Sequence, residues 1–224
     1  MTTVHPHTTA LEVDDGVYAP QDDSWLLRGE LVASGLADGR RVLDICTGSG
    51  ILAIEAARRG AREVLALDIS PAAVACAARN ARLAGVDVDV RRGGLDDARA
   101  AGQYDLVLAN PPYVPSDAPL RGTGPDRAWE AGADGRVVLD QLCALAPDLV
   151  APGGAMLIVH SEFSVPARTT RMLSDAGLLA AAVATRVIGF GPVMTAHADR
   201  LEAAGLLEAG RRTEELVVIR ADRR

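Results

Sequence analysis

Arg41-Val-Leu-Asp44-Ile-Cys46-Thr47-Gly48-Ser-Gly50-Ile-Leu-Ala53 is the stretch on which the fold turns. Its first five residues are an apolar run broken by one carboxylate, with the length of a buried strand. A loop carrying Gly48 and Gly50 follows, and residues 50–59 then read as a helix. Glycines at these two places let the backbone turn tightly and come close to a ligand. Gly48-Ser-Gly50-Ile-Leu-Ala53 also satisfies the GxGxx(G/A) dinucleotide pattern, which alone is weak evidence. Asp44 separates the alternatives. A carboxylate at the mouth of this strand repels a pyrophosphate, whereas it attracts an ammonium or hydrogen-bonds a bound amino acid.

Outward from this unit the alternation continues. A helix over 25–37 precedes it, with Ser24 placed as the N-cap. Residues 63–68 read as a second strand and 71–83 as a helix opened by Pro71. Strands are expected over 86–92 and from Tyr104 up to Asn110, then a helix over 135–150 and a strand over 155–160 after Pro152-Gly153-Gly154. Residues 166–176 read as helical, 180–188 and 214–220 as strands, and 192–204 as a helix between them. Five rounds of strand and helix demand a mostly parallel sheet with helices on both faces, joined by right-handed crossovers. Ligands of such sheets bind at the carboxyl ends of the strands, near the switch point. Asp44, Asp68 and Asn110 all stand at strand ends of that kind.

Asn110-Pro111-Pro112-Tyr113 closes the fourth strand. Two prolines fix the backbone and remove two N–H donors. The motif is therefore rich in acceptors, the Asn110 amide oxygen and the proline carbonyls, with an aromatic ring beside them. It suits an NH2 group held by its hydrogens with the lone pair aimed elsewhere. A rigid proline turn is the competing reading. The roughly twenty residues that follow are rich in Pro, Gly and Asp, and long loops in compact domains are usually functional.

Composition narrows the classes. The chain has 224 residues, enough for one α/β domain, and residues 1–16 read as a loose tail ahead of a domain over 17–224. Hydrophobic residues make up 49% and aromatics only 3%, so the core must be aliphatic. All basic side chains are Arg, and the net charge of −7 argues against broad binding to nucleic acid. No charged and apolar leader opens the chain, and no apolar run reaches membrane-spanning length, so a cytoplasmic protein is expected. Cys46, Cys76 and Cys143 form no CxxC pair and read as free thiols. His160 and His197 lack ligand-spaced partners, so no metal site is expected.

Asp68, at the end of the second strand, is placed to accept from both hydroxyls of a ribose, while Ser70 can cap the helix that follows. A ligand with a ribose, a cationic amino-acid part and no phosphate is S-adenosylmethionine. With Asp44-x-x-x-Gly48-x-Gly50, Asp68-Ile-Ser-Pro71 and Asn110-Pro-Pro-Tyr113 in order, the chain resembles the class I S-adenosylmethionine-dependent methyltransferases. More narrowly it resembles the HemK-type protein-glutamine methyltransferases. Tyr18-Ala-Pro20-Gln-Asp-Asp23-Ser24 is similar to the YxPxxD(S/T) opening of their small variant. Ala128-Trp129-Glu-Ala-Gly132-Ala-Asp-Gly135-Arg136 is similar to their AWxxGxxGR element.

The resemblance implies a Rossmann-like α/β fold with a seven-stranded, mostly parallel sheet. It implies that Ser24, Asp44 and the loop residues Cys46, Thr47, Gly48 and Gly50 hold the methionine part of the cofactor. Asp68 would hold the ribose, and Ile69 and Leu95 would sandwich the adenine. Asn110 would contact cofactor and substrate, with Pro111, Pro112 and Tyr113 completing the catalytic motif. Cys46 departs from a family glycine, which is tolerable where its φ is negative. Gly94 stands where a family aspartate contacts the adenine amino group, leaving Asp96, Asp97 or water for that contact. The helical domain of the long bacterial enzymes is missing, so substrate docking falls to this domain, the 114–134 loop or a small activator subunit. The implied substrate is a protein glutamine, as in a peptide-chain release factor. Adenine N6 of RNA or DNA and a small-molecule amine are the rival acceptors, and a NAD-binding oxidoreductase is the rival class. No general base is evident from the sequence.

Overall fold

A computed structural model describes residues 11–115, 131–203 and 205–224. The elements run α1 (Asp22–Ser34), β1 (Arg41–Ile45), α2 (Ile51–Arg58), β2 (Glu63–Asp68), α3 (Pro71–Ala84), β3 (Asp89–Arg92), α4 (Leu95–Ala100) and β4 (Tyr104–Ala109). They continue with α5 (Val137–Leu149), β5 (Val150–Ser161), a short 3-10 turn (Glu162–Ser164), α6 (Pro166–Asp175), β6 (Leu179–Gly189), α7 (Pro192–Ala203) and β7 (Thr213–Asp222).

The seven strands form one sheet in the order β3-β2-β1-β4-β5-β7-β6. The pairs from β3 through β5 are parallel, and β7 is antiparallel to both β5 and β6. The strand order reverses between β1 and β4, and the crevice above their carboxyl ends is where such a sheet binds ligands. Period-two alternation sends Leu43, Leu65 and Val107 to a layer covered by α5 with Ala98 of α4. Val42, Val64 and Leu106 go to the other layer, under α1 and α2. Asp44 is in phase with Val42, so its carboxylate lies on the α2 side.

Three boundaries and one whole element differ from the sequence reading. The first helix begins at Asp22 with Gln21 as N-cap, so Ser24 sits inside its first turn and caps nothing. The third strand starts at Asp89 and pairs with β2 only over Leu65–Asp68. Being short, polar and at the sheet edge, it shows little apolar pattern. Helix α4 has six residues, too few for a visible helical period. Strand β5 takes in Pro152-Gly153-Gly154 through a register shift opposite Tyr104 and Leu106.

Residues 11–16, expected to be loose, are tied to α3. The Glu12 N–H donates to Asn80 Oδ1 at 3.0 Å, and Asn80 Nδ2 donates back to the Glu12 carbonyl at 2.9 Å. Asn80 is buried, so this exchange satisfies an amide that water cannot reach. Ala128 and Trp129 of the AWxxGxxGR element, and most of the 114–134 loop, lie outside the described residues. Among the described residues, no helix is long and apolar enough to cross a membrane.

Candidate active site

Three groups of residues meet above β1, β2 and β4. The first is the glycine loop. Thr47 N–H bonds the Leu67 carbonyl at 3.1 Å and Gly50 N–H the Thr47 carbonyl at 2.8 Å, which folds the loop over the strand ends. Gly48 and Gly50 have φ of 54° and 85°. A Cβ on Gly50 would lie 3.1 Å from the Ala77 Cβ, so glycine also lets α2 start against α3. Cys46 has φ of 61°, not the negative value that would make its replacement of glycine harmless. A non-glycine residue in the left-handed region carries a strain of about 1–2 kcal/mol.

Asp44 lies under this loop with no exposure. Its Oδ2 accepts from Thr47 Oγ1 at 2.6 Å and from the Ala53 N–H at 3.1 Å. Its Oδ1 is buried without a partner among the described residues. Burial pushes the carboxyl up to about 7, against the pull of the Thr47 and Ala53 hydrogen bonds, with Asp68 adding repulsion. A buried anion lacking one donor is a fit for a ligand ammonium and a misfit for a phosphate.

Asp68 uses Oδ2 to accept from the Gly48 N–H at 3.0 Å and Oδ1 to accept from the Ser70 N–H at 2.9 Å. Ser70 is the true N-cap of α3, accepting from the Ala73 N–H. Burial raises the Asp68 carboxyl above its ordinary range, against these backbone bonds. Beside it, Ile69, Arg92, Gly93, Gly94 and Asp97 line a groove. Ile69 is half exposed there, at 47%. Leu95 is partly buried and packs on the α5-side core. A Cβ on Gly94 would meet only Ile69 Cγ2, at 3.4 Å, so the missing side chain leaves room rather than preventing a clash. Asp97 turns back to accept from the Gly94 N–H at 2.8 Å, which caps α4 and occupies that carboxylate.

The third group surrounds the end of β4. Asn110 Nδ2 donates to Ser24 Oγ at 3.2 Å, so the amide points its donor end at α1 and leaves Oδ1 to the cavity. The Tyr113 hydroxyl donates to Asp23 Oδ2 at 2.9 Å, and the Tyr18 hydroxyl donates to the same oxygen at 2.9 Å. Ser24 Oγ donates to Asp23 Oδ1 at 3.1 Å. Burial and the Asp23 charge raise both phenols, so neither serves as a base near neutral pH. The Tyr113 carbonyl accepts from Ser164 Oγ at 2.6 Å, and Gly135 packs directly against it. The cavity so formed is lined by Tyr18, Asp23, Asn110, Pro111, Tyr113 and Glu214, among others.

Sequence reasoning placed Ser24 and the Asn110–Tyr113 motif but assigned no role to Tyr18, Asp23 or Glu214. Tyr18 and Asp23 stood inside the quoted YxPxxD segment. Glu214 had a subtler signal, because it is in phase with Leu216 and Val218, which are buried.

Chains of known description align with this one. The family model for ribosomal protein L11 methyltransferase (PrmA) matches residues 30–111. A protein described as an N5-glutamine methyltransferase of Methanocaldococcus jannaschii is 31% identical over 192 residues, covering 85% of this chain and 95% of that one. The release factor glutamine methyltransferase of Deinococcus radiodurans is 40% identical over 153 residues, covering 65% of this chain. The match spans only 54% of that bacterial relative's length. Among solved structures, the E. cuniculi Mtq2–Trm112 complex, described as responsible for methylation of the eRF1 translation termination factor, superposes with a TM-score of 0.65. It is 20% identical and covers 93% of this chain and 99% of that one, a likeness of fold.

Proposed function

This chain belongs to the HemK-type family of protein N5-glutamine methyltransferases, and on that premise we propose that it methylates the side-chain amide of a glutamine in a peptide-chain release factor. S-adenosylmethionine supplies the electrophilic methyl group on a sulfonium sulfur. The unpartnered Asp44 Oδ1 would receive its ammonium, and Asp68 its ribose hydroxyls through the lone pairs the loop leaves free. The groove beside Ile69 and Gly94 would take the adenine, with Cys46, Thr47, Gly48 and Gly50 shaping the path of the methionine part.

The observation that carries the reading is the orientation of Asn110. With Nδ2 bonded to Ser24, the side chain presents an acceptor to the cavity. The Pro111 carbonyl is a second acceptor, and Pro111 and Pro112 bring no N–H to compete. Two acceptors side by side hold the two hydrogens of a flat carboxamide and favour a pyramidal nitrogen with its lone pair exposed. Positioning and electrostatics of this kind carry most of a methyl transfer. Tyr113, fixed by Asp23, offers its ring to the acceptor, and a π face near developing positive charge contributes about 0.5–2 kcal/mol.

A small subunit of the Trm112 kind, which accompanies the E. cuniculi neighbour, is the partner proposed to assist. Incubating a release factor with the chain and S-adenosylmethionine, with and without such a subunit, should add one methyl to one glutamine, read by mass spectrometry. An unmodified factor alongside methylated RNA or a methylated small amine would reject the substrate and leave the family assignment standing.

A further inference from the structure

Methylating an amide nitrogen releases a proton. The nitrogen gains the methyl carbon, the carbon–sulfur electron pair stays on sulfur, and one N–H bond must surrender its proton while its electrons return to nitrogen. The clamp groups cannot keep that proton, because the Asn110 and Pro111 oxygens are amide carbonyls. The Asp23 carboxylate is fully engaged, by the Tyr18 and Tyr113 hydroxyls on one oxygen and by Ser24 on the other. Asp22 stands exposed at the cavity rim and pairs with Arg186 at 3.8 Å.

One carboxylate in the cavity is differently placed. Glu214 is the second residue of β7, opposite Ile188 of β6, and is 4% exposed. It lines the same cavity as Asn110, Pro111 and Tyr113. Its Oε2 is buried and accepts no hydrogen bond among the described residues. An orphaned carboxylate oxygen costs stability.

We infer that Glu214 is the proton acceptor of the reaction, taking the N–H proton on Oε2 after the carbon–nitrogen bond forms and passing it to water when the product leaves. This rests on the glutamine-methylation reading. The surroundings suit the task. Burial raises the Glu214 carboxyl above its ordinary range, and Asp23 and Glu162 push it further up. The Ser161 hydroxyl and Arg211 pull the other way. Tyr18 and Tyr113 face it as neutral phenols, Asp22 stands at the rim, and Ile188, Val193 and Met194 bring no charge. The result is a stronger base than a solvated glutamate.

The test compares wild type, Glu214→Gln and Glu214→Asp on a release factor, with the Trm112-type subunit present and S-adenosylmethionine saturating. Glu214→Gln keeps the shape and an acceptor oxygen but cannot hold the proton. It should lower kcat about 100-fold, leave KM for the release factor within a few-fold, and erase the acid limb of the kcat–pH profile. Its thermal midpoint should equal or exceed that of wild type, since the unpaired charge is gone. Glu214→Asp should recover part of the rate and the acid limb. A Gln variant with near-wild-type kcat and an unchanged profile overturns the inference, as does an Asp variant that folds normally yet is no faster than Gln. If wild type itself leaves the factor unmethylated, the glutamine reading falls and takes this inference with it.

Discussion

Asp44 holds a charge that its neighbours only half satisfy, and that makes it a pH sensor for both folding and ligand binding. Its carboxyl sits at about 7 in the folded chain, against roughly 4 when unfolded. Between those values the folded state binds more protons, so stability from this group falls as pH rises through the window. His160, pushed down to about 4 by burial, acts with the opposite sign between about pH 4 and its ordinary value near 6.5. The difference between wild type and Asp44→Asn cancels the histidine, and that difference should shrink in wild type's favour as pH is lowered toward 4. Binding of S-adenosylhomocysteine should run the other way. It needs the ionised carboxylate, so affinity should drop below pH 7 by up to about tenfold per unit. Calorimetry on Asp44→Asn should show a flat profile, and an equally steep one would move the ammonium site elsewhere. Cys46 is the second test at this scale. Its left-handed backbone means that Cys46→Gly should cost no stability although it deletes a thiol packed on the core, whereas Cys46→Val should lose about 1–2 kcal/mol in chemical denaturation. A valine variant as stable as wild type would show that the loop relaxes freely.

At the scale of elements, the active-site motif is held from behind by the start of α5. A Cβ on Gly135 would sit 2.2 Å from the Tyr113 carbonyl oxygen and 2.8 Å from Ser164 Oγ, at a φ of 68°. Arg136, next in the chain and 1% exposed, donates to the Ser164 carbonyl and to Thr169 at 3.0 Å, and pairs with Asp140 at 2.8 Å. Gly135→Ala should therefore cost roughly 2–4 kcal/mol and lower kcat by displacing Tyr113. Unchanged denaturation and turnover would mean that the contact yields without consequence. The sequence made this element visible as Gly132, Gly135 and Arg136, but not what it does, because nothing in the spacing says that Gly135 meets a backbone carbonyl 22 positions earlier. Other elements were readable in proportion to their length and amphipathic period. The central strands showed as predominantly apolar runs because both their faces are buried. Helix α4 and the true start of α1 were missed. The first is too short, and at the second a serine that looks like a cap is spent on Asp23 and Asn110 instead.

At the scale of the whole molecule, the switch between β1 and β4 was legible because Asp44, Asp68 and Asn110 all fell at strand ends, and the sheet brings those ends together. The antiparallel β7 between β5 and β6 was not legible as a neighbour, since a strand's apolar pattern shows which faces it buries and not which strand it pairs with. Without that pairing, nothing could bring Glu214 into the cavity with Asn110. The same assembly concentrates charge: Asp22, Asp23 and Glu214 line a cavity of a chain whose net charge is −7. Such a field attracts a basic protein surface and repels a phosphate backbone, and it acts on encounter rather than on chemistry. Raising ionic strength from about 0.02 M to about 0.3 M shortens the screening length severalfold. With a release factor as substrate, kcat/KM should fall about tenfold over that range while kcat stays constant, and added RNA should neither accept methyl groups nor slow the reaction. A kcat/KM that rises with salt, or competition by RNA at low salt, would mean that the acidic rim opposes the true substrate, and the acceptor would then have to be sought among neutral or anionic molecules.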